Sequence, residues 1–185
     1  RRLSPRRRQH RLDRPLINRL GQPEQEGRMN PMELAKLLKP EAVKVLTSAS
    51  SKKRLMQELG DLMFVAHELE ADRVVEALNA REALGPTGVG HGVALPHARL
   101  SGLQEVVGAF VLLDTPIDFS SIDRQPVDLA FALFAPEDAG VEHLKAFALV
   151  SRTLRDVSIC NKLRANPDAG TLYTILSEEK AAQAA

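Results

Sequence analysis

A glycine-rich run that ends in a histidine carries the clearest chemical signal in this sequence. Residues 85–100 read GPTGVGHGVALPHARL, so a glycine-rich loop leads through a short apolar stretch to Pro96 and His97. Proline ends a strand or confines it to a sheet edge, and we therefore expect His97 at a strand end, facing outward. Histidine can act as a neutral nucleophile near pH 7. The same run is also compatible with an ordinary surface turn that contains a histidine.

His143 is the second candidate, because it opens a helix predicted over Val141–Leu154 that is apolar on most sides and that we expect to be buried. The N-terminus of a helix favours anions. If His143 lies near His97, the two form a nucleophile and a phosphate-stabilising donor. Arg81 and Arg99 flank the glycine loop and can neutralise phosphate oxygens. A solvated surface position remains the alternative for His143 and for both arginines.

The other histidines carry less signal. His10 lies in a basic N-terminal segment, and His67 is predicted at the surface of a helix. His91 lies inside the glycine loop. Three histidines can in principle bind zinc, but the spacing of His91 and His97 fits no metal motif. We expect neither a metal nor a cofactor.

Apolar periodicity predicts the elements that position these residues. A helix capped by Ser50 or Ser51 and a second helix should form a hairpin on one side of a sheet. Continuous apolar runs at Val106–Leu113 and Val127–Ala135 are typical of strands buried on both faces. The predicted helices span about 51–69, 71–82, 141–154, 157–164 and 168–177. Together these elements predict an α/β fold, a three-layer sandwich with helices on both faces of the sheet.

The charge is distributed unevenly along the chain. Residues 1–28 hold nine arginines and three acidic residues, a net charge of +6, whereas the rest holds 16 basic and 21 acidic residues, a net charge of −5. We expect residues 1–28 to be a flexible basic arm, or an artefact of cloning or of the assigned gene start, with folding from about Met29. Such an arm can bind nucleic acid, although the low aromatic content, 4% with no Trp, argues against a base-stacking surface.

Composition also indicates the cellular environment in which the protein would be found. No stretch approaches the roughly 20 apolar residues that span a bilayer, so we expect no membrane insertion. Cys160 is the one cysteine and cannot form an internal disulfide, which fits a reducing compartment.

From about Met32 to Glu178 the chain resembles the enzyme IIA proteins of the bacterial phosphoenolpyruvate phosphotransferase system, in their fructose/mannitol superfamily. It is most similar to the nitrogen-regulatory branch. The resemblance rests on the Arg81-Glu82 pair, the glycine-rich run to His97, and the Glu142-His143-Leu144 helix start. It also rests on residues 107–136, VGAFVLLDTPIDFSSIDRQPVDLAFALFAP, and on residues 159–164, ICNKLR.

The resemblance implies a mixed central β-sheet and assigns roles to residues of an enzyme IIA-type domain at 29–185. His97 would be the phosphoacceptor, receiving a phosphoryl group from a histidine of the phosphocarrier protein. His143 would hydrogen-bond that group, and Arg81 would bind phosphate. The implied protein is a cytoplasmic phosphotransferase component that needs no metal, and its acidic body would suit a phosphocarrier with a basic rim.

Three functions remain in competition. The first is a regulatory phosphoacceptor of the nitrogen type, whose targets in that family include potassium transporters and sensor kinases. The second is a transport component that passes phosphate to a fructose- or mannitol-type IIB protein. The third is a binding module whose arginine arm contacts nucleic acid.

Overall fold

Two long apolar strands form the centre of the sheet in the computed structural model, which describes residues 33–178. These strands are β5 (Val107–Ile117) and β6 (Val127–Pro136), and they pair antiparallel. A short strand, β1 (Val43–Leu46), pairs parallel with β5. The predicted basic arm, residues 1–28, and the expected start of folding at Met29 lie outside the described residues.

The glycine-rich run supplies the other three strands. β3 (Val93–Ala94) and β4 (His97–Leu100) both pair parallel with β6, and β2 (Gly88–Gly90) pairs antiparallel with β3. The sheet therefore contains parallel and antiparallel pairs, which confirms the mixed sheet that the resemblance implied.

The helices lie close to their predicted spans. α2 begins after Ser51, whose Oγ accepts a hydrogen bond from the backbone N–H of Arg54 at 3.1 Å, so the predicted cap is confirmed. A single turn of 3-10 helix at Pro40–Ala42 precedes β1. The helices are α1 (Leu34–Leu37), α2 (Lys52–His67), α3 (Ala71–Glu82), α4 (Val141–Arg155), α5 (Val157–Arg164) and α6 (Ala169–Glu178).

Each face of the sheet carries its own layer of helices. α2 and α3 pack on the face that holds the small side chains Ala130 and Ala132 of β6. α1, α4, α5 and α6 pack on the face that holds the large side chains Leu129, Phe131 and Leu133. Alternate residues of a strand point to opposite faces of the sheet. In the middle of β6 small and large side chains alternate, so the small ones enter one core and the large ones enter the other. The three-layer α/β sandwich is confirmed.

The prediction that α4 is a buried helix is wrong. Ala146, Leu149 and Val150 are buried, but Leu144 is 66% exposed and Ala148 is exposed as well. One side of α4 packs against the sheet and the other side faces solvent. Some of its apolar residues, Leu144 among them, are therefore not part of the core. No helix among residues 33–178 is long and apolar enough to cross a membrane.

Candidate active site

His97 lies where the two helical layers meet beside β4. It is the first residue of that strand, with α3 from one layer and α4 from the other on either side. Pro96 interrupts the strand as predicted, but its carbonyl accepts a hydrogen bond from Leu133 N–H at 2.9 Å, so the chain rejoins β6 at once. His97 is half-buried and lines an open cavity with Arg81 and His143, so it faces outward only in part.

Two hydrogen bonds define which ring nitrogen of His97 is free to react. Nδ1 lies 2.9 Å from the backbone carbonyl of Leu95, and a carbonyl can only accept, so Nδ1 carries the proton. Nε2 lies 3.1 Å from Nε of Arg81, which can only donate, so Nε2 holds the lone pair. Both contacts require the same neutral tautomer, in which Nε2 is the nucleophile.

The surroundings of His97 keep its ring neutral. Burial lowers the pKa of His97 below the usual histidine value, and the charge of Arg81 acts in the same direction. The hydrogen bond to Leu95 and the charge of Glu82 oppose this shift of the pKa without reversing it. A histidine whose pKa lies below about 6.5 is mostly deprotonated near pH 7 and is available for nucleophilic attack.

His143 reaches the same place from the first turn of α4. Its ring centroid lies 6.3 Å from that of His97, and the two planes are tilted by 44°. Burial first, and then the charges of Arg99 and His97, lower the pKa of His143. Its Nδ1 is buried and has no hydrogen-bond partner among residues 33–178. The structure thus brings together the two histidines that the sequence singled out.

The N-terminus of α4 has no side-chain cap. Ser51 caps α2 and Asp156 caps α5 through their side chains, whereas the residue before α4 is Gly140, which has no side chain with which to cap. The first N–H groups of α4 and the positive end of its dipole therefore lie beside His143 without a side-chain acceptor from the N-cap position.

The two arginines hold different positions. Besides its bond to His97, Arg81 donates from Nη1 to the carbonyl of Gly85 at 3.0 Å. Arg99 is exposed and donates from Nη1 to the carbonyls of Glu137 and Ala139, at 2.9 and 3.1 Å. Arg99 therefore ties β4 to the loop that precedes α4, and its predicted contact with phosphate stays a prediction.

A cavity of about 460 Å³ opens above these groups. It is lined by Arg81 and Leu84 at the end of α3, by His97 and Arg99 of β4, and by His143. Of its lining residues, Leu84 is 84% exposed, and the first turn of α4, which carries His143, also exposes Val141 and Leu144. Exposed apolar residues grouped at a polar cavity are typical of a protein-binding surface.

His91 and His67 lie elsewhere, and His10 lies outside the described residues. His91 adopts a left-handed conformation (φ 55°), and its carbonyl accepts from Nη2 of Arg164 at 2.9 Å. Both line a second cavity, of about 510 Å³, and His91 is not among the residues that line the first. His67 is half-buried with a buried Nε2, so the expectation of a simple surface residue is wrong.

Sequence reasoning missed two contacts of the site. The ring of Phe147 meets that of His97 edge to face, with 5.0 Å between centroids. Its position four residues after His143, one helical turn further on, is the signal that would have indicated it. Nothing in the sequence could have indicated the contact between the Leu95 carbonyl and Nδ1 of His97, because every residue has a backbone carbonyl.

The fold is a mixed α/β sandwich in which two histidines lie close together beside an uncapped helix, and comparison with known proteins specifies the family. Residues 36–179 match the family model described as "Phosphoenolpyruvate-dependent sugar phosphotransferase system, EIIA 2". The chain belongs to this family and is a phosphotransfer component. This confirms the resemblance inferred from the sequence.

Relatives from three bacteria carry the same kind of name. A nitrogen regulatory protein of Bradyrhizobium diazoefficiens is 47% identical over 146 residues, which are 79% of this chain and 95% of that protein. One of Escherichia coli K12 is 39% identical over 148 residues, 80% of this chain and 91% of the relative. The crystal structure of nitrogen regulatory protein IIA-Ntr from Neisseria meningitidis is 36% identical, with a TM-score of 0.71, and the match covers 77% of this chain and 98% of that one.

Proposed function

We propose that this protein is a regulatory phosphoacceptor of the nitrogen type, which receives a phosphoryl group on Nε2 of His97 from a histidine phosphocarrier protein. The observation that carries the proposal is the pair of contacts of His97, with the Leu95 carbonyl and with Nε of Arg81, which together leave the lone pair on Nε2. The similarity to proteins named nitrogen regulatory protein supports the regulatory assignment.

The transfer conserves atoms and charge without moving a proton. The lone pair of Nε2 attacks the phosphorus of the donor phosphohistidine in line, an N–P bond forms, and the N–P bond to the donor ring breaks. The ring of His97 gains positive character while Nδ1 keeps its proton. The Leu95 carbonyl accepts the hydrogen bond from that proton, so it stabilises the developing charge.

Arg81 has to change partner during the reaction. Its Nε donates to the same lone pair that attacks the phosphorus, at 3.1 Å, so this hydrogen bond breaks as the N–P bond forms. The released guanidinium then pairs with an equatorial oxygen of the phosphoryl group. His143 and the first N–H groups of α4 bind the other oxygens, which spreads the negative charge over fixed donors.

The phosphocarrier docks on the apolar side chains around the cavity. Leu84, Val141 and Leu144 are all more than half exposed; Leu84 lines the cavity with His97 and His143, and the other two share the first turn of α4 with His143. A small apolar contact of this kind suits a transient complex, which must separate after each transfer. We place the reaction in the cytoplasm, where enzyme IIA-type proteins meet their phosphocarrier, and we expect potassium transporters or sensor kinases among the targets.

A phosphotransfer assay tests this function. The protein is incubated with phosphoenolpyruvate, enzyme I and the phosphocarrier, and its intact mass is followed together with that of His97→Ala. One acid-labile phosphoryl group on the wild type and none on His97→Ala is the expected result. Absence of labelling on both proteins, with active donors, would refute the proposal.

A second step separates the regulatory function from transport. The phosphorylated protein is mixed with purified fructose-type and mannitol-type IIB proteins, and loss of its phosphoryl group is followed over time. A regulatory component should retain the group. Rapid transfer to a IIB protein would instead support the transport alternative.

A further inference from the structure

Glu82 closes the helix that carries Arg81, and its carboxylate is buried. The side chain is only 8% exposed, and its Oε1 forms an ion pair with Nζ of Lys52 at 2.6 Å. Oε1 also accepts from the backbone N–H of Thr87 at 3.0 Å, and Oε2 accepts from the Thr87 hydroxyl at 2.5 Å. A buried carboxylate is costly unless it is paired and hydrogen-bonded, and this one is both.

The contacts continue from Thr87 to His97 without a gap. The Thr87 carbonyl accepts from the backbone N–H of Leu95 at 2.9 Å. The Leu95 carbonyl in turn accepts from Nδ1 of His97 at 2.9 Å. Thr87 is 4% exposed and Leu95 is 1% exposed, so water does not readily substitute for these bonds.

Lys52 anchors the outer end of this chain of contacts. Its Nζ also donates to the Phe119 carbonyl at 3.3 Å and lies 4.4 Å from the centre of the Phe119 ring. Glu82 is therefore held by a residue of α2 that is itself held by the segment following β5. Thr87 is therefore held in place by Glu82 and Lys52, which both lie outside the glycine-rich run.

We propose that Glu82 is a positioning residue for phosphotransfer, which acts through Thr87 and Leu95 to hold the ring of His97 with Nε2 towards the incoming phosphoryl group. The inference rests on the proposed function of His97. It assigns Glu82 no contact with the phosphoryl group. When the Glu82 contact is lost, the Leu95 carbonyl shifts, and the ring is free to exchange tautomers and to rotate.

The test uses variants that separate hydrogen bonding from charge. Glu82→Met removes both acceptors. Glu82→Gln loses the charge but keeps an oxygen for the Thr87 N–H, and its amide NH2 can donate to the Thr87 hydroxyl in place of the bond that Oε2 accepts. Glu58→Met is the matched control, because Glu58 is another buried carboxylate, also with an 8% exposed side chain, that pairs with Lys44 and Arg54.

Two properties are measured on each folded variant. The first is the tautomer of His97 in the unphosphorylated protein, from ¹⁵N chemical shifts of the ring. The second is the rate of phosphorylation as kcat and KM for the phosphocarrier. Because a displacement of about 1 Å in a reacting group can cost about 100-fold in rate, we expect Glu82→Met to lose at least tenfold in kcat with little change in KM.

The expected pattern is a mixture of His97 tautomers and a slow kcat in Glu82→Met, with both near wild type in Glu82→Gln and Glu58→Met. A single tautomer and normal kcat in Glu82→Met would overturn the inference. Equal impairment in Glu82→Gln would show that charge acts instead, and equal impairment in Glu58→Met would show a general loss of stability. Either result overturns it too.

A second pair of variants keeps the test decisive if Glu82→Met fails to fold. Thr87→Val removes the hydroxyl that Oε2 of Glu82 binds, and Thr87→Ser retains it. We expect a partial loss of the single tautomer and of kcat in Thr87→Val and recovery in Thr87→Ser, and identical behaviour of the two would overturn the inference. The tautomer is read without any donor, so failure of the proposed function, seen as an unphosphorylated wild type, is distinguishable from failure of this inference.

Discussion

Replacing His143 should slow phosphorylation of His97 without weakening docking of the phosphocarrier. Within residues 33–178 the buried Nδ1 of His143 has no hydrogen-bond partner, and the ring centroid lies 6.3 Å from that of His97. A bond from His143 to the phosphoryl group is therefore made only as the group arrives. An interaction that forms in the transition state and not in the docked ground-state complex acts on kcat rather than on KM, and we expect the His143 contact to be of this kind.

The expected magnitude follows from the loss of one fixed donor. Removing a single donor from a preorganised site lowers kcat by about 100-fold or more, about 2.7 kcal/mol. We expect this loss for His143→Ala and a smaller one for His143→Gln, which keeps an N–H donor. Folding stability should fall little, because the substitution also removes a buried nitrogen that has no partner within residues 33–178.

The assay is single-turnover phosphorylation by the phosphorylated carrier, with rates measured over a range of carrier concentrations. His67→Ala is the matched control. His67 is also half-buried, and its buried Nε2 has no partner in the described part of the chain, but it lies in α2 and does not line the cavity. A rate for His143→Ala that equals the control would refute this reasoning. A rise in KM at constant kcat would do so as well, because it would place His143 in docking.

Two further predictions concern stability. Burial is the main reason that the pKa values of His67, His97 and His143 are lowered in the folded protein. Below the ordinary histidine pKa of about 6.5, the unfolded chain therefore binds more protons than the folded one, and the free energy of unfolding falls. Urea midpoints should decrease from about pH 7.5 to about pH 5.5, and a midpoint that stays constant or rises would contradict this. Asp128 accepts from Nε and Nη2 of Arg164 at 2.7 and 2.8 Å, so Asp128→Asn should lower the free energy of unfolding. The expected loss is about 1–3 kcal/mol by urea denaturation with normal phosphorylation of His97, and unchanged stability would count against a structural role for this pair.

Most of the fold could be predicted from the apolar pattern of the sequence. The short strands could not, because they depend on pairing with a neighbouring strand. The runs that form β5 and β6 are long and continuously apolar, so their burial was predictable. β1 and β4 are four residues each, and β4 begins with His97 and includes Arg99, which are polar. Such strands are defined by the neighbour they pair with and not by their own composition.

The candidate site divides in the same way. His97 and His143 were identified from residue type and local context, but their proximity depends on α3, β4 and α4 meeting in space. The contacts that hold the ring of His97 were not predictable. They run from Glu82 through backbone groups of Thr87 and Leu95. A backbone carbonyl leaves no mark in a sequence, so only coordinates show which one fixes a side chain.

The central claim is that Nε2 of His97 accepts the phosphoryl group, and ³¹P and ¹⁵N NMR of the phosphorylated protein tests it most directly. With ¹⁵N-labelled histidine, the account predicts one phosphohistidine, with phosphorus bonded to Nε2 of His97 and the proton retained on Nδ1. Phosphorus on Nδ1 of His97, or on any other histidine, would contradict the account.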